Sequence, residues 1–269
     1  MGTHLLAYFI NTTFGAALAN VNVVNDDVVT KVGIGDRFLC PVDYNTIQYC
    51  AALGTTLTRA LVTTPSLEVR REVFEILPRR ATAVTFSLSG LEICDPFKDV
   101  VLQAPENIIV QTADSSGAGV AKYALIWLKK AGPLPAVPDG DIRVVRSTGT
   151  TTLTINTWST VAVTLDKDLE PGQYALVGFI GISANVVAVR VIIPNQNYRP
   201  GMPGLAGTEA AAADFDFSAY NPLMYYLMGE FPHTNIPQFQ FLSSVADTVE
   251  TVFLYLIKVG APGTQLTVV

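Results

Sequence analysis

The sequence contains only two histidines, and neither lies in a pattern that supports catalysis. His4 is close to the amino terminus, where we expect mobility, and His233 lies in the proline-bounded segment FPHTNIP. A serine hydrolase of the α/β type would carry a G-x-S-x-G segment, which this sequence lacks. We therefore predict no catalytic residues and no enzyme activity.

Two pairs of aspartates could each offer two oxygens to a calcium ion. They are Asp139 with Asp141, and Asp214 with Asp216. Neither pair is followed by the further spaced oxygen ligands of a calcium loop, so turn or capping carboxylates are the simpler interpretation. The sequence also lacks any His-x-His, which excludes the bicupins, enzymes that bind metal in paired jelly rolls. We predict no metal site and no cofactor.

The glycines and cysteines also predict structural roles. The segment Gly33–Phe38 (GIGDRF) lacks the third glycine of a dinucleotide-binding loop, and no helix follows it, so it predicts a β-turn. Cys40, Cys50 and Cys94 are odd in number and have no C-x-x-C spacing. We expect buried free thiols rather than a zinc site or a disulfide framework.

The densest aromatic cluster is the segment Asn221–His233, NPLMYYLMGEFPH. Its large side chains are Met224, Tyr225, Tyr226, Met228 and Phe231. They could form a platform for a carbohydrate or a partner. The alternative that we favour is a loop packed on the core or on a neighbouring subunit.

Charge is scarce along the chain. Charged residues are 15% of the sequence and apolar residues 49%, with a mean hydropathy of +0.36, against roughly 25% charged in an ordinary soluble domain. The longest apolar runs are LLAYFI, ALVGFIGI and VFLYLI, all shorter than the roughly 20 residues that span a bilayer. Because interface centres are depleted of charge, we expect extensive protein–protein contact.

The net charge of −6 and the sequence pI near 4.9 disfavour binding to phosphates. We therefore expect no direct sequence-specific binding of nucleic acid. The amino-terminal segment resembles a secretory signal but has no Lys or Arg before its apolar stretch, so we do not expect a cleaved signal.

Most of the chain predicts β-strands. Segments rich in alternating or β-branched residues are 82–90, 151–165 and 184–194, the last ending on Pro194. The 20 glycines and 16 prolines fit many short strands joined by turns. Ser66–Leu77 predicts either one short helix with Ser66 as its N-cap or a strand followed by a loop. Ala206–Phe217 could hold a helical turn.

The sequence also repeats itself. VAKYALIWLKKAGP (Val120–Pro133) and VETVFLYLIKVGAP (Val249–Pro262) both combine an apolar run with a lysine and a terminal proline. The same offset of 129 (249 − 120) aligns Pro65 with Pro194, Arg70 with Arg199, Phe86 with Phe215 and Ser89 with Ser218. We infer an internal duplication, with halves near 20–132 and 141–262, in which each repeated segment is a buried last strand.

The repeat and the prolines define the expected domains. Pro133, Pro135 and Pro138 make an extended linker over 133–140, between an N-terminal domain of 1–132 and a C-terminal domain of 141–269. A unit of this size with about eight short strands suits a sandwich or jelly roll. The predicted fold is therefore all-β, with two tandem eight-stranded jelly rolls related by internal duplication.

A duplicated, charge-poor, all-β chain resembles the double jelly-roll major capsid proteins of icosahedral viruses, the adenovirus and tectivirus lineage, and in size the small bacterial-virus type. That resemblance implies a homotrimer that forms a pseudo-hexagonal capsomer and then contacts neighbouring trimers. It also implies a place in the virion after synthesis in the host cytoplasm. Further partners would be minor capsid and vertex proteins and an internal membrane.

Two alternatives stay open. One is a two-domain β-sandwich adhesin or carbohydrate-binding module, which would be a stable monomer. The other is a tandem single-roll trimer of another virion or spore-coat type. For the capsid interpretation, Asn221–His233 and Arg199–Gly204 are the expected contact segments, since both are apolar and braced by prolines. Tyr226→Asp should then give soluble monomers.

Overall fold

The computed structural model describes residues 3–12, 15–21, 33–54, 56–71, 74–76, 78–79, 99–115, 121–194, 196, 199–207 and 226–260. These residues divide into two compact units. The first unit is His4–Pro133, and the second is Leu134–Val269 together with Met1–Thr3.

The first unit contains eleven described strands and one short helix. The strands are β1 (His4–Asn11), β2 (Ala19–Asn20), β3 (Gly33–Ile34), β4 (Arg37–Leu39), β5 (Thr46–Leu53), β6 (Leu57–Thr63), β7 (Phe74–Ile76), β8 (Pro78–Arg79), β9 (Val100–Val101), β10 (Asn107–Asp114) and β11 (Lys122–Lys129). The helix is α1 (Pro65–Arg70). Sheet I has the order β1-β11-β5-β8, with β9 also paired to β5; sheet II has the order β3-β4-β10-β6-β7, with β2 also paired to β10.

The second unit has ten described strands. They are β12 (Ile142–Gly149), β13 (Trp158–Val161), β14 (Thr164–Leu165), β15 (Gln173–Ser183), β16 (Val186–Ile192), β17 (Gly201–Pro203), β18 (Leu205–Ala206), β19 (Gly229–Pro232), β20 (Gln238–Ser243) and β21 (Glu250–Gly260). Sheet III has the order β14-β12-β21-β15-β18, with β19 also paired to β15. Sheet IV has the order β13-β20-β16-β17.

Both units follow the same path between their two sheets. In each unit the last strand lies between two others of the same sheet. These orders are β1-β11-β5 in sheet I and β12-β21-β15 in sheet III. The remaining long strands order as β4-β10-β6-β7 and β13-β20-β16-β17. A chain that passes between two sheets in this strand order forms a jelly roll. The predicted all-β fold of two tandem, duplicated jelly rolls is therefore confirmed, whereas the number of eight strands per roll stays a prediction.

The repeated segments lie in equivalent strands, β11 and β21. The inferred first half of 20–132 was wrong at its start, because β1 pairs with β11 along its whole length from His4 to Asn11 and completes the first roll. The offset of 129 holds in sheets II and IV, where Val110 faces Val62 and Phe239 faces Val191. Thus the duplication extends over more of the chain than the sequence match indicated.

The helix prediction needs correction. The helix covers only Pro65–Arg70, and its N-cap is Thr64, whose hydroxyl accepts the backbone N–H of Leu67 at 3.2 Å. It ends at Arg71, which adopts a left-handed conformation with φ of 57°. The chain then continues as β7, so the apolar end of the predicted helix is a strand. Within the described residues, no helix is long and apolar enough to span a membrane.

Some of the strand and turn predictions are confirmed. Segment 184–194 forms β16 and ends before Pro194, as predicted. Segment 151–165 contains only the short strands β13 and β14. The predicted turn in Gly33–Phe38 is confirmed, since Gly35 and Asp36 join β3 to β4 and Gly35 has a φ of +62°. Segment 82–90 lies outside the described residues, and so does the helical turn predicted within Ala206–Phe217, apart from its first two residues.

Each roll has its core between its two sheets. In the first unit the Phe9 and Phe38 rings from sheets I and II meet edge to face with centroids 6.4 Å apart. In the second, Phe179 and Phe239 from sheets III and IV meet in the same way at 5.2 Å. These contacts define the inner face of each sheet. Because strand residues alternate, they also identify the outer face, which is turned away from the other sheet of the same unit.

Alternation gives the repeated strands different orientations. Leu254 pairs with Phe179 and so lies on the inner face of sheet III, as predicted for a core residue. Ala124 pairs with Phe9, which places Trp127, three residues further on, on the outer face of sheet I. Trp127 is fully buried, but the expectation that it points into the core of its own roll is wrong.

Candidate assembly surface

His4 is not in a mobile terminus, contrary to the sequence expectation. It is the first residue of β1, is buried, and its Nε2 lies 2.6 Å from Oε1 of Gln48. Burial lowers the pKa of His4 to about 4. A histidine held neutral and buried in this way has a structural role.

His233 lies in a turn after β19, as its prolines indicated. Its Nδ1 accepts a hydrogen bond from the backbone N–H of Gly172 at 3.3 Å, and the backbone N–H of His233 donates to the Gly172 carbonyl. Asp139 and Asp141 lie in the connection before β12, whereas Asp214 and Asp216 lie outside the described residues. Among the described residues, no three acidic, histidine or cysteine side chains come together as a metal site.

The cysteine prediction is confirmed where it can be examined. Cys40 and Cys50 are free and buried, and Cys94 lies outside the described residues. Burial, together with the nearby Glu106 carboxylate, raises the pKa of the Cys40 thiol to about 12. Such a thiol is not a reactive nucleophile.

The described part of the aromatic segment packs inside the second unit. Phe231 lies in β19, is buried, and stacks on Tyr174 with ring centroids 6.1 Å apart. Met228 is buried as well, while Tyr226 and Leu227 are half-buried. Residues 221–225 lie outside the described residues. The described residues of this segment therefore favour packing over a ligand platform.

Arg199–Gly204 was expected to contact other subunits, and this expectation is wrong. The whole segment is buried within one chain, and its centre forms β17, which pairs with β16 in sheet IV. Its proline and glycine residues serve the sheet edge rather than an exposed loop. Apolar composition alone could not tell a buried strand from an exposed contact.

The corner where β11 begins contains a buried ion pair. Lys122 Nζ lies 2.6 Å from Asp114 Oδ2, and the two side chains are 0% and 1% exposed. Gly54 lies beside this lysine, since a Cβ at position 54 would come within 2.9 Å of Lys122 Cγ. The pair joins the end of β10 in sheet II to the start of β11 in sheet I. Charges this deeply buried must be paired to be tolerated.

The equivalent corner of the second unit contains a carboxylate instead. Glu250 begins β21, is 0% exposed, and its Oε2 accepts the backbone N–H of Thr151 at 3.1 Å. Burial, and to a lesser degree the nearby charge of Asp247, raises the pKa of Glu250. Among the described residues Glu250 has no cationic partner, and its Oε1 accepts no hydrogen bond. The two rolls thus differ in charge at the same place.

The outer face of sheet I is buried within a single chain, and that of sheet IV is buried at its centre. On sheet I the outer residues Leu6, Tyr8, Leu125 and Trp127 are all at most 3% exposed. On the outer face of sheet IV the central polar side chains Arg190 and Gln240 are buried, whereas Thr160 at its edge is exposed. There, Gln240 accepts a hydrogen bond from Arg190 Nε at 2.7 Å and donates one to Thr160 Oγ1 at 2.9 Å, and the Arg190 guanidinium lies 4.1 Å from the Trp158 ring centre.

The outer face of sheet III is apolar and is exposed along β12, whereas other side chains of the same face are at most 2% exposed, namely Ala175, Ile180, Ile182, Leu205 and Ile257. Ile142 and Val144 of β12 are 40% and 55% exposed, and beside them Phe253 and Tyr255 of β21 are half-buried. The aromatic pair packs on a cluster whose buried members are Ile180, Ile182 and Leu205. Nothing in the sequence analysis selected β12. The available signal was the β-branched stretch IRVV at 142–145, directly after the proline-rich connection.

A groove runs beside β12, between that strand and residues 166–170. Arg146 Nη1 lies 2.5 Å from Asp166 Oδ2, and Arg143 Nη1 lies 3.4 Å from Glu170 Oε2. A hydrogen bond from Lys258, at 2.9 Å, lowers the pKa of Glu170. Of these cations, Arg146 lies on the outer face of sheet III, whereas Arg143 and Lys258 alternate to its inner side, so the ion pairs follow the edge of the sheet.

The outer face of sheet II is open too, but its character is mixed. Leu39 is 41% exposed, and Leu61 and Ile109 are half-buried. Beside them, Gln111 Nε2 donates to Asn20 Oδ1 at 3.1 Å, and an ion pair links Arg59 to Glu75. The exposed parts of the two rolls thus differ, since sheet II exposes a mixture of apolar, amide and ionic side chains and sheet III exposes the apolar side chains of β12.

No protein-family model matches the sequence, and no curated protein matches it. Among solved structures, the chain is similar to the crystal structure of the major capsid protein P2 from bacteriophage PM2, with 11% sequence identity and a TM-score of 0.25. The match covers 98% of this chain and 100% of that chain. The double jelly-roll fold is established independently by the strand order of this chain.

Proposed function

We propose that this chain is a structural coat protein, a double jelly-roll major capsid protein that forms homotrimers and pseudo-hexagonal capsomers of an icosahedral shell. The observation that carries the proposal is the arrangement of two jelly rolls in one chain. Three such chains would present six rolls around a ring. A surface with few charges favours association of copies over a monomeric state.

Several sequence features support a structural role. Among the described residues no three acidic, histidine or cysteine side chains come together, and His4, Cys40 and Cys50 are buried in the packing. Within this proposal the protein resides in the virion after synthesis in the host cytoplasm. Its other partners would be neighbouring trimers, minor capsid and vertex proteins, and a membrane beneath the shell.

Light scattering coupled to size-exclusion chromatography tests the proposal on the full chain. A stable species of three times 28.9 kDa is expected. Electron microscopy of concentrated samples should then show hexagonal capsomers or shells. A species that stays monomeric at high concentration would contradict the capsid proposal and would agree with the alternative, a two-domain adhesin or carbohydrate-binding module.

A further inference from the structure

The connection that leads into β12 contains the one Asp-Gly pair of the sequence, Asp139-Gly140, and the sequence has no Asn-Gly pair. Both residues are exposed, as is Asp141 after them. Among the described residues, the Asp139 carboxylate and the Gly140 backbone N–H have no hydrogen-bond partner. The carboxyl group and the amide that follows it are therefore open to water and are not held by other groups of the described chain.

The fold requires glycine at position 140. Gly140 has a φ of +147°, in a region that residues with a side chain rarely adopt. A Cβ at this position would also lie 2.8 Å from Cγ2 of Ile257 in β21. Backbone conformation and packing thus exclude a side chain that would shield the Gly140 nitrogen. The residue that this turn needs leaves the preceding aspartate without steric protection.

We propose that Asp139 is a site of spontaneous isomerisation to isoaspartate. The Gly140 backbone nitrogen loses its proton and bonds to Cγ of Asp139, and the carboxyl oxygen leaves as water, which closes a five-membered succinimide. The two atoms belong to adjacent residues, so the reaction is intramolecular and has a high effective concentration. This inference does not rest on the proposed function, because it concerns the covalent chain alone.

Hydrolysis of the succinimide completes the reaction. Water that adds at Cγ breaks the bond between Cγ and nitrogen and restores aspartate. Water that adds at the main-chain carbonyl carbon of Asp139 breaks the bond from that carbon to nitrogen, and the chain then runs through Cβ and Cγ. The water released on ring closure is taken up again on ring opening, so no oxidant or second substrate is consumed.

The pair Asp114-Ser115 shows how the fold prevents the same reaction elsewhere. The Asp114 carboxylate is buried and lies 2.6 Å from Lys122 Nζ. The nitrogen that would attack, that of Ser115, donates its proton to the Thr56 carbonyl at 2.9 Å. Ring closure at this site requires both contacts to break and a buried ion pair to be separated. The structure therefore separates two sites that sequence alone would rank next to each other.

Asp141 provides a comparison at equal exposure. It lies two residues after Asp139 in the same connection, and the residue that follows it is Ile142. The branched Cβ of Ile142 crowds the nitrogen that would attack, and Ile142 is already paired with Ile257 as the first residue of β12. We expect Asp141 to remain aspartate while Asp139 isomerises.

Isomerisation changes the entry into β12 without changing the mass of the chain. Isoaspartate adds one methylene to the main chain, about 1.5 Å of covalent length, three residues before the strand begins at Ile142. It also leaves a free α-carboxylate at position 139, which is the group that protein isoaspartyl methyltransferases esterify. Old and new molecules of this protein therefore differ chemically in the connection between the two rolls.

Peptide mapping of the aged full chain tests the site. The protein is incubated at neutral pH, folded or unfolded in urea, and then digested with trypsin. The expected peptides are 131–143, with Asp139 and Asp141, and 99–122, with Asp114. Electron-transfer fragmentation distinguishes isoaspartate from aspartate at each position. Methylation by an isoaspartyl methyltransferase gives an independent measure of the total.

Two variants provide matched controls. Ser115→Gly creates a second Asp-Gly pair in the buried setting of Asp114, and Asp139→Glu replaces the reactive side chain with one that would have to close a larger ring. Circular dichroism verifies that each variant keeps its β-sheet signal. If Ser115→Gly does not fold, the comparison of Asp139 with Asp141 in the unmodified chain still decides the outcome.

In the folded chain we expect isoaspartate at Asp139, and at least about tenfold less of it at Asp141 and at Asp114 of Ser115→Gly. In urea both Asp-Gly pairs should react to a similar extent. Asp139→Glu should lower the methylation of the folded chain. Equal accumulation at Asp139 and Asp141, or accumulation at Asp139 only after unfolding, would overturn the proposal. The mass measured by light scattering does not enter this test, so the capsid proposal stands or fails separately.

Discussion

The last strands of the two rolls, β11 and β21, have the same place in the fold and opposite surroundings. β11 begins at Lys122, which is paired with Asp114, and both of its faces are buried. β21 begins at Glu250, which has a raised pKa, and its outer face carries the half-buried Phe253 and Tyr255. Duplication has thus preserved strand order while the side chains diverged. The outer side of this strand is therefore fully covered in the first roll and only half covered at Phe253 and Tyr255 in the second.

The largest expected difference in the free energy of unfolding is between changes on the outer faces of sheets I and III. Trp127→Ala on sheet I should lower the free energy of unfolding by about 3–5 kcal/mol, because a fully buried aromatic side chain is removed. The matched change on sheet III, Val144→Ala, should alter it by less than about 0.5 kcal/mol, because Val144 is 55% exposed. Denaturant titrations of both variants give the two values. Equal losses would show that the two faces are covered alike.

Breaking the Lys122–Asp114 ion pair in the first roll should lower the free energy of unfolding almost as much. Lys122→Met leaves the Asp114 carboxylate buried without its cation, which should cost about 3 kcal/mol. Adding Asp114→Leu to the same chain should recover most of that loss, since the buried charge is then gone. Thermal and denaturant unfolding of the two variants measure this difference. A double variant as unstable as the single one would mean that the ion pair also fixes the packing of the corner.

The corner of the second roll should show a smaller effect that depends on pH. Because the pKa of Glu250 is raised in the folded chain, its contribution to stability is complete below the ordinary value of 4.5 and is lost as pH rises through the raised value. Glu250→Gln removes this loss. We therefore expect the variant to be more stable than the unmodified chain at about pH 8 and equally stable at about pH 4.

Denaturant titrations across that pH interval measure the difference. Gln can still accept the hydrogen bond from Thr151 N–H, which makes it a conservative control of shape. Lys122→Gln should not produce the same pH profile, because that change removes a cation rather than a carboxyl group. A difference that does not vary with pH would show that the charge of Glu250 is irrelevant.

The smallest effect on stability, with the clearest effect on assembly, is expected at Tyr226. Tyr226 is half-buried next to Leu227, which packs on the outer cluster of Ala175, Val177 and Ile257 in sheet III. Tyr226→Asp should therefore reduce trimer and particle yield while the circular-dichroism signal of the sheets persists. Val69→Asp, on exposed α1, is the matched control. Unchanged particle yield would place Tyr226 outside the contact.

The sequence by itself determined the class of fold and its duplication. Apolar runs without alternation predicted doubly buried strands, and β11 is buried over seven of its eight residues. The repeated endings located equivalent strands, because a strand's place in the roll follows its order along the chain. The turn at Gly35 and the buried Cys40 and Cys50 were predictable from local composition as well.

Only the tertiary structure decided which way each side chain faces. Seven residues, 115–121, separate β10 from β11, and six residues, 244–249, separate β20 from β21. A shift of one residue turns every side chain of a strand to the other face, so Leu125 and Leu254 match in sequence but lie on opposite faces. The same applies to Trp127, Arg199–Gly204 and His4, whose burial depends on neighbours distant in sequence. The composition gives the number of apolar residues in the chain. The register of the sheets determines which of those residues are buried within the chain.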